Sequence, residues 1–144
     1  MTVASAHQIV EQLLHLVAHG PSEEMADLFA EDAVFEMPYL PPGMPAQEPG
    51  REAFRAHLRE GARVQRFDGV TDVRIHRTAD PEVVIAEYRL HGTVTATGRR
   101  FASDLVMVAR VRDGLIVTHR SYANPLDAAI AFGAVGDLLT ALAD

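Results

Sequence analysis

The order of helix-like and strand-like segments constrains the fold of this chain more than any single residue does. Apolar residues recur at helical spacing after a capping-box pattern at Ser5 and Gln8, and this run stops at Gly20. A second helix is predicted to begin at Pro21, where acidic residues fill the first turn. A third is predicted over Arg51 to Ala62. The first part of the chain is therefore expected to supply helices.

A short strand is predicted at Ala33 to Met37, and strand patterns dominate after residue 70. The residues between the later strands are turn-forming, so we expect hairpins and an antiparallel, strongly bent sheet. Helices that pack on one face of such a sheet give an α+β architecture with a pocket at the wide end. The later strands are predicted at Val70–Arg77, Glu82–Gly92, Arg99–Val111 and Leu115–Tyr122.

Two segments have no strong periodic pattern. Pro38 to Gly50 contains five prolines and two glycines, which predicts an irregular loop over one edge of the domain and makes it a candidate lid. A short closing helix is expected from Pro125 to Phe132, and Asp137 to Ala143 is expected to be a frayed apolar tail.

Composition limits the class of protein. A chain of 144 residues has room for one domain, expected to span residues 1–144, and its apolar runs are shorter than a membrane span. The stretch from Met1 to Ser5 lacks the basic start and apolar centre of a secretion signal, so the cytoplasm is the expected location. A net charge of −7 argues against a nucleic-acid partner.

Two absences from the sequence restrict the chemistry. The chain has no cysteine, and all of its 13 basic residues are arginines. A thiol nucleophile, a zinc–thiolate site and a Schiff-base lysine are therefore excluded. Glu11, His15 and His19 have a spacing that could hold a metal on one helical face, but that face is opposite the apolar stripe and is expected to be solvated. We expect acid–base chemistry with no metal and no cofactor.

Several stretches of the sequence resemble one superfamily. Leu28–Tyr39, Gly50–Ala53 and Arg110–Ile116 resemble SnoaL-like polyketide cyclases and ketosteroid isomerases of the nuclear transport factor 2-like superfamily. The stretch Ser121–Leu126, with 131–133 after it, resembles the phenazine-biosynthesis A/B branch. The resemblance implies a cone-shaped fold with one pocket for a small apolar organic molecule. It also implies a homodimer through the outer sheet face, where Val106 and Val108 lie.

The chain departs from the best-known catalytic sets of that superfamily. The resemblance places Leu13, Met37 and Met107 where ketosteroid isomerases carry a tyrosine, the catalytic aspartate and a protonated aspartic acid. Phe35, Met37 and Ser121 stand where limonene epoxide hydrolases carry their water-activating groups. Leu13, Met37 and Met107 cannot transfer a proton, and the water-activating set of the epoxide hydrolases is missing as well.

Strand alternation indicates which remaining polar side chains face the pocket. His119 is the candidate general base or acid, with Ser121 to orient its ring; the alternative is a buried, neutral histidine. Tyr39 and Tyr88 are candidate donors to a developing oxyanion, or ordinary packing residues. The expected pocket wall consists of Leu13, Phe35, Met37, His57, Leu90 and Met107. Ala86, Ser103, Leu105 and Val117 are expected to share the inward side, with Glu87, Arg89, His91, Asp104, Arg110 and Arg120 ion-paired or solvated on the outer face.

Two functions remain open at this point. The first is a metal-free enzyme of bacterial secondary metabolism, of cyclase, isomerase or dehydratase type, acting on an apolar cyclic metabolite. The second is a non-catalytic binding or assembly protein that kept the scaffold and lost the carboxylates.

Overall fold

The computed structural model describes residues 3–143, so Met1 and Thr2 of the amino-terminal stretch considered above, and the last residue of the expected domain, lie outside the described residues. The elements in chain order are α1 (Ala6–Val17), a 3-10 helix (Glu23–Leu28), β1 (Phe29–Glu36), α2 (Arg51–Val64), β2 (Gln65–Arg77), β3 (Val83–Val94), β4 (Arg100–Arg112), β5 (Leu115–Ala123), α3 (Pro125–Ala131) and α4 (Val135–Ala143).

The five strands form one open, mixed sheet in the order β1-β5-β4-β3-β2. The α+β class is confirmed, and β2 to β5 are antiparallel neighbours as predicted. The expectation of a wholly antiparallel sheet was wrong, because β1 pairs with β5 in parallel. A parallel pair needs a long crossover between its strands. Here the crossover consists of α2 and β2 to β4, which the local turn pattern could not reveal.

The first helix forms as the capping-box pattern predicts. The Ser5 hydroxyl accepts a hydrogen bond from the backbone N–H of Gln8 at 3.2 Å, and the Gln8 side chain accepts one from the backbone N–H of Ser5 at 2.9 Å. The apolar face of α1 is buried against the sheet, with Val10 and Leu13 almost fully covered. This helix therefore forms part of the core under the concave face.

The strands β1 and β2 begin earlier than predicted. β1 starts at Phe29, which pairs with Ile116 and is fully buried, so the apolar residues assigned to the second helix partly belong to the strand. The rest of that segment is a single 3-10 helix. β2 starts at Gln65, and its pairing with β3 shifts register twice, near Gly69 and near Asp72, which has a φ of 55°. Such bulges interrupt alternation and bend the strand.

The carboxyl-terminal segment is more regular than expected. Asp137 to Ala143 belongs to α4, so the prediction of a frayed tail was wrong. The Asn124 side chain caps α3 by accepting a hydrogen bond from the backbone N–H of Leu126 at 3.0 Å. Leu138 is buried and ties α4 to the rest of the fold. None of the helices within residues 3–143 is long and apolar enough to span a membrane.

Candidate active site

A cavity of about 240 Å³ lies between the concave face of the sheet and the helices α1 and α2; we call it the inner cavity. Helix α1 contributes Leu13 and Val17, and α2 contributes Phe54, His57 and Leu58. The sheet contributes the side chains that face the helices, which are Phe29, Phe35, Phe67, Tyr88, Leu90, Leu105, Met107, His119 and Ser121.

Strand register explains why these side chains share one face. Met107 is directly opposite both Ala86 and Ser121, and Tyr88 is opposite Leu105. Residues directly opposite in neighbouring strands point to the same side of a sheet. Leu13, Phe35, Met37, His57, Leu90 and Met107 all line the inner cavity.

His119 lies on β5 against an aromatic cluster. Its ring centroid is 5.7 Å from that of Phe29, in an edge-on arrangement, and 6.2 Å from that of Phe35. Burial disfavours the imidazolium and lowers the pKa of His119 to about 4, although its own backbone group partly opposes this. At neutral pH the ring is therefore uncharged and able to accept a proton, while the general-acid alternative would require an imidazolium that is scarce there.

Tyr88 lies on β3, at the other end of the same cavity. His119 of β5 is opposite Ala109 of β4, which is opposite Val84 of β3, and Tyr88 is four residues after Val84. With regular strand spacing the Cα atoms of His119 and Tyr88 are about 16 Å apart along the sheet surface. Burial raises the pKa of Tyr88 to about 12, so its hydroxyl stays protonated and can donate a hydrogen bond. The two groups are therefore placed to contact different parts of one ligand.

Neither polar group is used by the rest of the protein. Within residues 3–143 neither the Tyr88 hydroxyl nor the His119 ring is hydrogen-bonded to another residue, and the ring contacts its own backbone group. Two side-chain nitrogens in that range are fully buried without a hydrogen-bond partner, the Nε atoms of Arg51 and Arg120, and no atom of His119 or Tyr88 is among them. The polar atoms of His119 and Tyr88 therefore keep some surface toward the inner cavity.

Two of the predicted roles do not match the geometry. Ser121 faces the cavity two residues after His119, but across the described residues no hydrogen bond joins its hydroxyl to the imidazole, so it does not orient that ring. Tyr39 does not line the inner cavity. Strand β1 ends at Glu36, so alternation stops before Tyr39, which sits in a turn with 62% of its surface exposed and an edge-on contact to Tyr122.

The rim of the inner cavity carries polar residues that sequence reasoning largely missed. Glu36, Gln47 and Gln65 join the predicted His57 among the lining residues. Glu36 also forms an ion pair with Arg120 at 3.7 Å. Gln47 lies in the proline-rich loop and Gln65 at the start of β2, both outside the predicted elements, so no periodic signal marked them.

A second cavity of about 570 Å³ adjoins the first; we call it the outer cavity. The proline-rich loop forms one side with Tyr39 to Met44, and α3 and α4 form the other with small residues such as Ala128 and Ala141. Although it is the larger cavity, its ionisable lining groups are Tyr39 and Asp137. The acid–base groups are concentrated in the smaller one, which is why we assign the chemistry there.

The outer face of the sheet carries the ion pairs expected for it. Arg89 contacts Asp104 at 3.0 Å, and His76 contacts Glu87 at 2.6 Å. Within residues 3–143 no cluster of three or more histidine and acidic side chains could hold a metal ion. The arrangement of the inner cavity is suited to binding an apolar molecule and moving a proton.

Comparison with known families identifies the family of this chain. Residues 10–119 match the SnoaL-like domain. The chain belongs to the SnoaL-like family. One relative is an "uncharacterized PhzA/B-like protein" of Pseudomonas aeruginosa, 39% identical over 134 residues that cover 91% of this chain and 92% of that protein. The resemblance to the phenazine A/B branch is therefore confirmed.

Solved structures place this SnoaL-like chain in the ketosteroid isomerase-like fold. A "putative isomerase" from Bacillus subtilis superposes with a TM-score of 0.82 at 31% identity, covering 90% of this chain and 93% of that one. A hypothetical protein from Catenulispora acidiphila with a ketosteroid isomerase-like fold, solved with trimethylamine, gives 0.73 at 18% identity, covering 94% and 98%. The second likeness concerns the fold alone.

Proposed function

We propose that the protein is a small-molecule enzyme that performs metal-free proton transfer on an apolar cyclic metabolite. One observation carries the proposal: His119 and Tyr88 line a single, largely apolar cavity and form no hydrogen bond with another residue's side chain there. Buried polar groups are normally hydrogen-bonded, so unused ones at a cavity mark a place where a ligand supplies the partner. The SnoaL-like family and the similarity to the Bacillus subtilis "putative isomerase" support chemistry of cyclase or isomerase type.

The chemistry begins with a carbon acid beside a carbonyl group. A ring nitrogen of neutral His119 accepts the proton from carbon, and the C–H electron pair moves toward the carbonyl oxygen to form an enolate. The buried imidazolium is then stabilised by the negative charge created in the same step, because opposite charges attract strongly where water is excluded. Return of the proton to another atom of the substrate completes an isomerisation or a ring closure.

Tyr88 and the apolar walls contribute to the same step. The Tyr88 hydroxyl donates a hydrogen bond to a substrate oxygen at the far end of the cavity. Leu13 and Met107 are almost fully buried and keep water from the reacting atoms. A dry wall strengthens each remaining electrostatic contact.

The proposal is tested by following the exchange of the α-protons of 1-tetralone in D₂O by NMR. This bicyclic ketone is apolar and has an acidic C–H beside its carbonyl. The protein should accelerate exchange, and His119→Gln should reduce the acceleration by about 10²- to 10⁴-fold, the usual contribution of a positioned base. His76→Gln, on the outer face of the sheet and away from the cavity, is the matched control and should retain the rate.

An unchanged exchange rate in His119→Gln, with the variant still folded by circular dichroism, would contradict the assignment of the base. A Tyr88→Phe variant gives a second, independent arm. Because Tyr88 lies at the far end of the cavity from His119 and the single oxygen of 1-tetralone adjoins the reacting carbon, Tyr88→Phe should leave the exchange rate of this ketone nearly unchanged.

A non-catalytic binding protein is the second candidate, and one observation favours it. Leu13, Met37 and Met107 all line the inner cavity, and the resemblance places these three apolar residues where ketosteroid isomerases carry catalytic groups. If this candidate is correct, 1-tetralone binds, exchange is not accelerated, and His119→Gln leaves the affinity unchanged.

A further inference from the structure

The outer cavity has a composition that suits the apolar part of a ligand. Its wall combines Leu40, Met44 and Phe132 with alanines from α3 and α4, and its polar groups are few. Short alanine side chains leave the groove between the loop and the helices open. Such a surface binds hydrocarbon, and it offers little to a charged or strongly hydrogen-bonding molecule.

The two cavities share a wall. Met37 and Ser121 are the residues that line both. Met37 is 45% exposed, and an unbranched methionine side chain changes rotamer at low cost. The Ser121 hydroxyl adds a polar group at the junction. A molecule that enters past Met37 can therefore occupy both spaces at once.

The volumes favour a single ligand across both cavities. At about 240 Å³ the inner cavity is smaller than the roughly 300–1,000 Å³ typical of small-molecule sites. The two volumes taken together fall within that range. The inner cavity holds the groups that act on a substrate, so the outer one is left for the part of the substrate that does not react.

We infer that the outer cavity is a subsite for an extended apolar arm of the ligand whose reacting ring occupies the inner cavity. This inference rests on the proposed function for the location of the reacting ring, and it narrows the substrate class to a cyclic ketone bearing a long apolar substituent. The arm runs past Ser121 and Met37 and lies under Tyr39 to Met44, against α3 and α4.

The test compares 1-tetralone with its 6-hexyl derivative by isothermal titration calorimetry on the full chain. A buried methylene raises affinity by up to about fourfold, so six partly buried carbons should raise it at least tenfold. Ala141→Trp, which fills the outer cavity, should abolish this gain and leave the affinity for 1-tetralone unchanged. Leu142→Trp is the matched control, since Leu142 is the next residue of α4, is 59% exposed and does not line the cavity.

Ala128→Phe repeats the block from α3, in case Ala141→Trp disturbs α4. The hexyl ketone must also be displaced by 1-tetralone, because both place their ring in the inner cavity. Equal affinities for the two ketones, or a hexyl gain that survives both blocking variants, would overturn the subsite. Failure of both ketones to bind would overturn the subsite and the proposed function together, whereas failure of the hexyl ketone alone would overturn the subsite.

The proposed function and the subsite can be refuted independently of each other. If the hexyl gain is present and sensitive to Ala141→Trp but neither ketone exchanges its α-protons faster than in buffer, the subsite stands and the enzyme proposal falls. If exchange depends on His119 and the hexyl chain adds no affinity, the enzyme proposal stands and the subsite falls.

Discussion

The inner and outer cavities are neighbours built by different parts of the chain. The inner cavity is enclosed by α1, α2 and the concave face of the sheet, where Phe29, Leu13 and Met107 are almost completely buried. The outer cavity lies between an irregular loop and two short helices, where the lining residues Tyr39, Met44 and Phe132 remain exposed by 62%, 56% and 43%. Dense packing fixes the position of a side chain, whereas a weakly packed boundary adapts to its occupant. Precise proton transfer therefore suits the first region, and tolerant hydrocarbon binding suits the second.

The largest expected difference between the two regions is in the cost of removing an aromatic ring. Phe29→Ala should lower the free energy of unfolding by about 3–5 kcal/mol, because the ring is fully buried against Phe35, Phe54 and His119. Phe132→Ala, the same truncation at the outer cavity, should cost less, about 1–2 kcal/mol, since 43% of the residue is already exposed. Urea denaturation measures both. Equal costs would mean that the outer region is as tightly packed as the inner one.

The next effect is a dependence of stability on pH that comes from the inner cavity. His119 has a folded-state pKa of about 4 and an unfolded value of 6.5, so the unfolded chain takes up the proton first as the pH falls. The stability associated with the neutral ring is complete above pH 6.5 and is lost progressively toward pH 4, by up to about 3 kcal/mol. His119→Gln should remove this component. Parallel pH–stability curves for the wild-type protein and the variant would show that the histidine is solvated.

A smaller effect compares the helix caps of the two regions. Ser5→Ala removes a capping box from α1, and Asn124→Ala removes the cap of α3; each loses about 1 kcal/mol of helix stabilisation. Because α1 packs into the core, Ser5→Ala should lower global stability by that amount. Asn124→Ala should mainly accelerate amide hydrogen exchange in α3 and α4 while the global unfolding free energy changes little. A global loss of the same size in both variants would contradict the division into two regions.

The inner cavity could be predicted from sequence because its walls are regular elements. The family resemblance placed Leu13 and Met107 at the cavity, and strand alternation from Met107 then added His119 and Tyr88. The capping box and the Asp113–Gly114 hairpin turn, with φ values of 53° and 79°, also formed as expected. These signals are local, so a single sequence contains them.

The remaining features depend on contacts between distant segments. The parallel pairing of β1 with β5 and the early start of β1 at Phe29 depend on where Ile116 lies in the folded chain. Tyr39 was misplaced because it follows the last residue of β1, where alternation no longer holds. The outer cavity gave no sequence signal, since one wall is a proline-rich loop and the other includes α4, whose apolar residues resembled a frayed tail.

The central claim is that neutral His119 in the inner cavity is the proton acceptor, and the pH dependence of kcat/KM for 1-tetralone exchange tests it most directly. This quantity reports the ionisation of the free enzyme. With the pKa of His119 at about 4, kcat/KM should be constant from pH 8 down to about 5. In His119→Gln the catalysed exchange should be largely lost. An inflection near pH 6.5, or a profile that survives the substitution, would contradict the account.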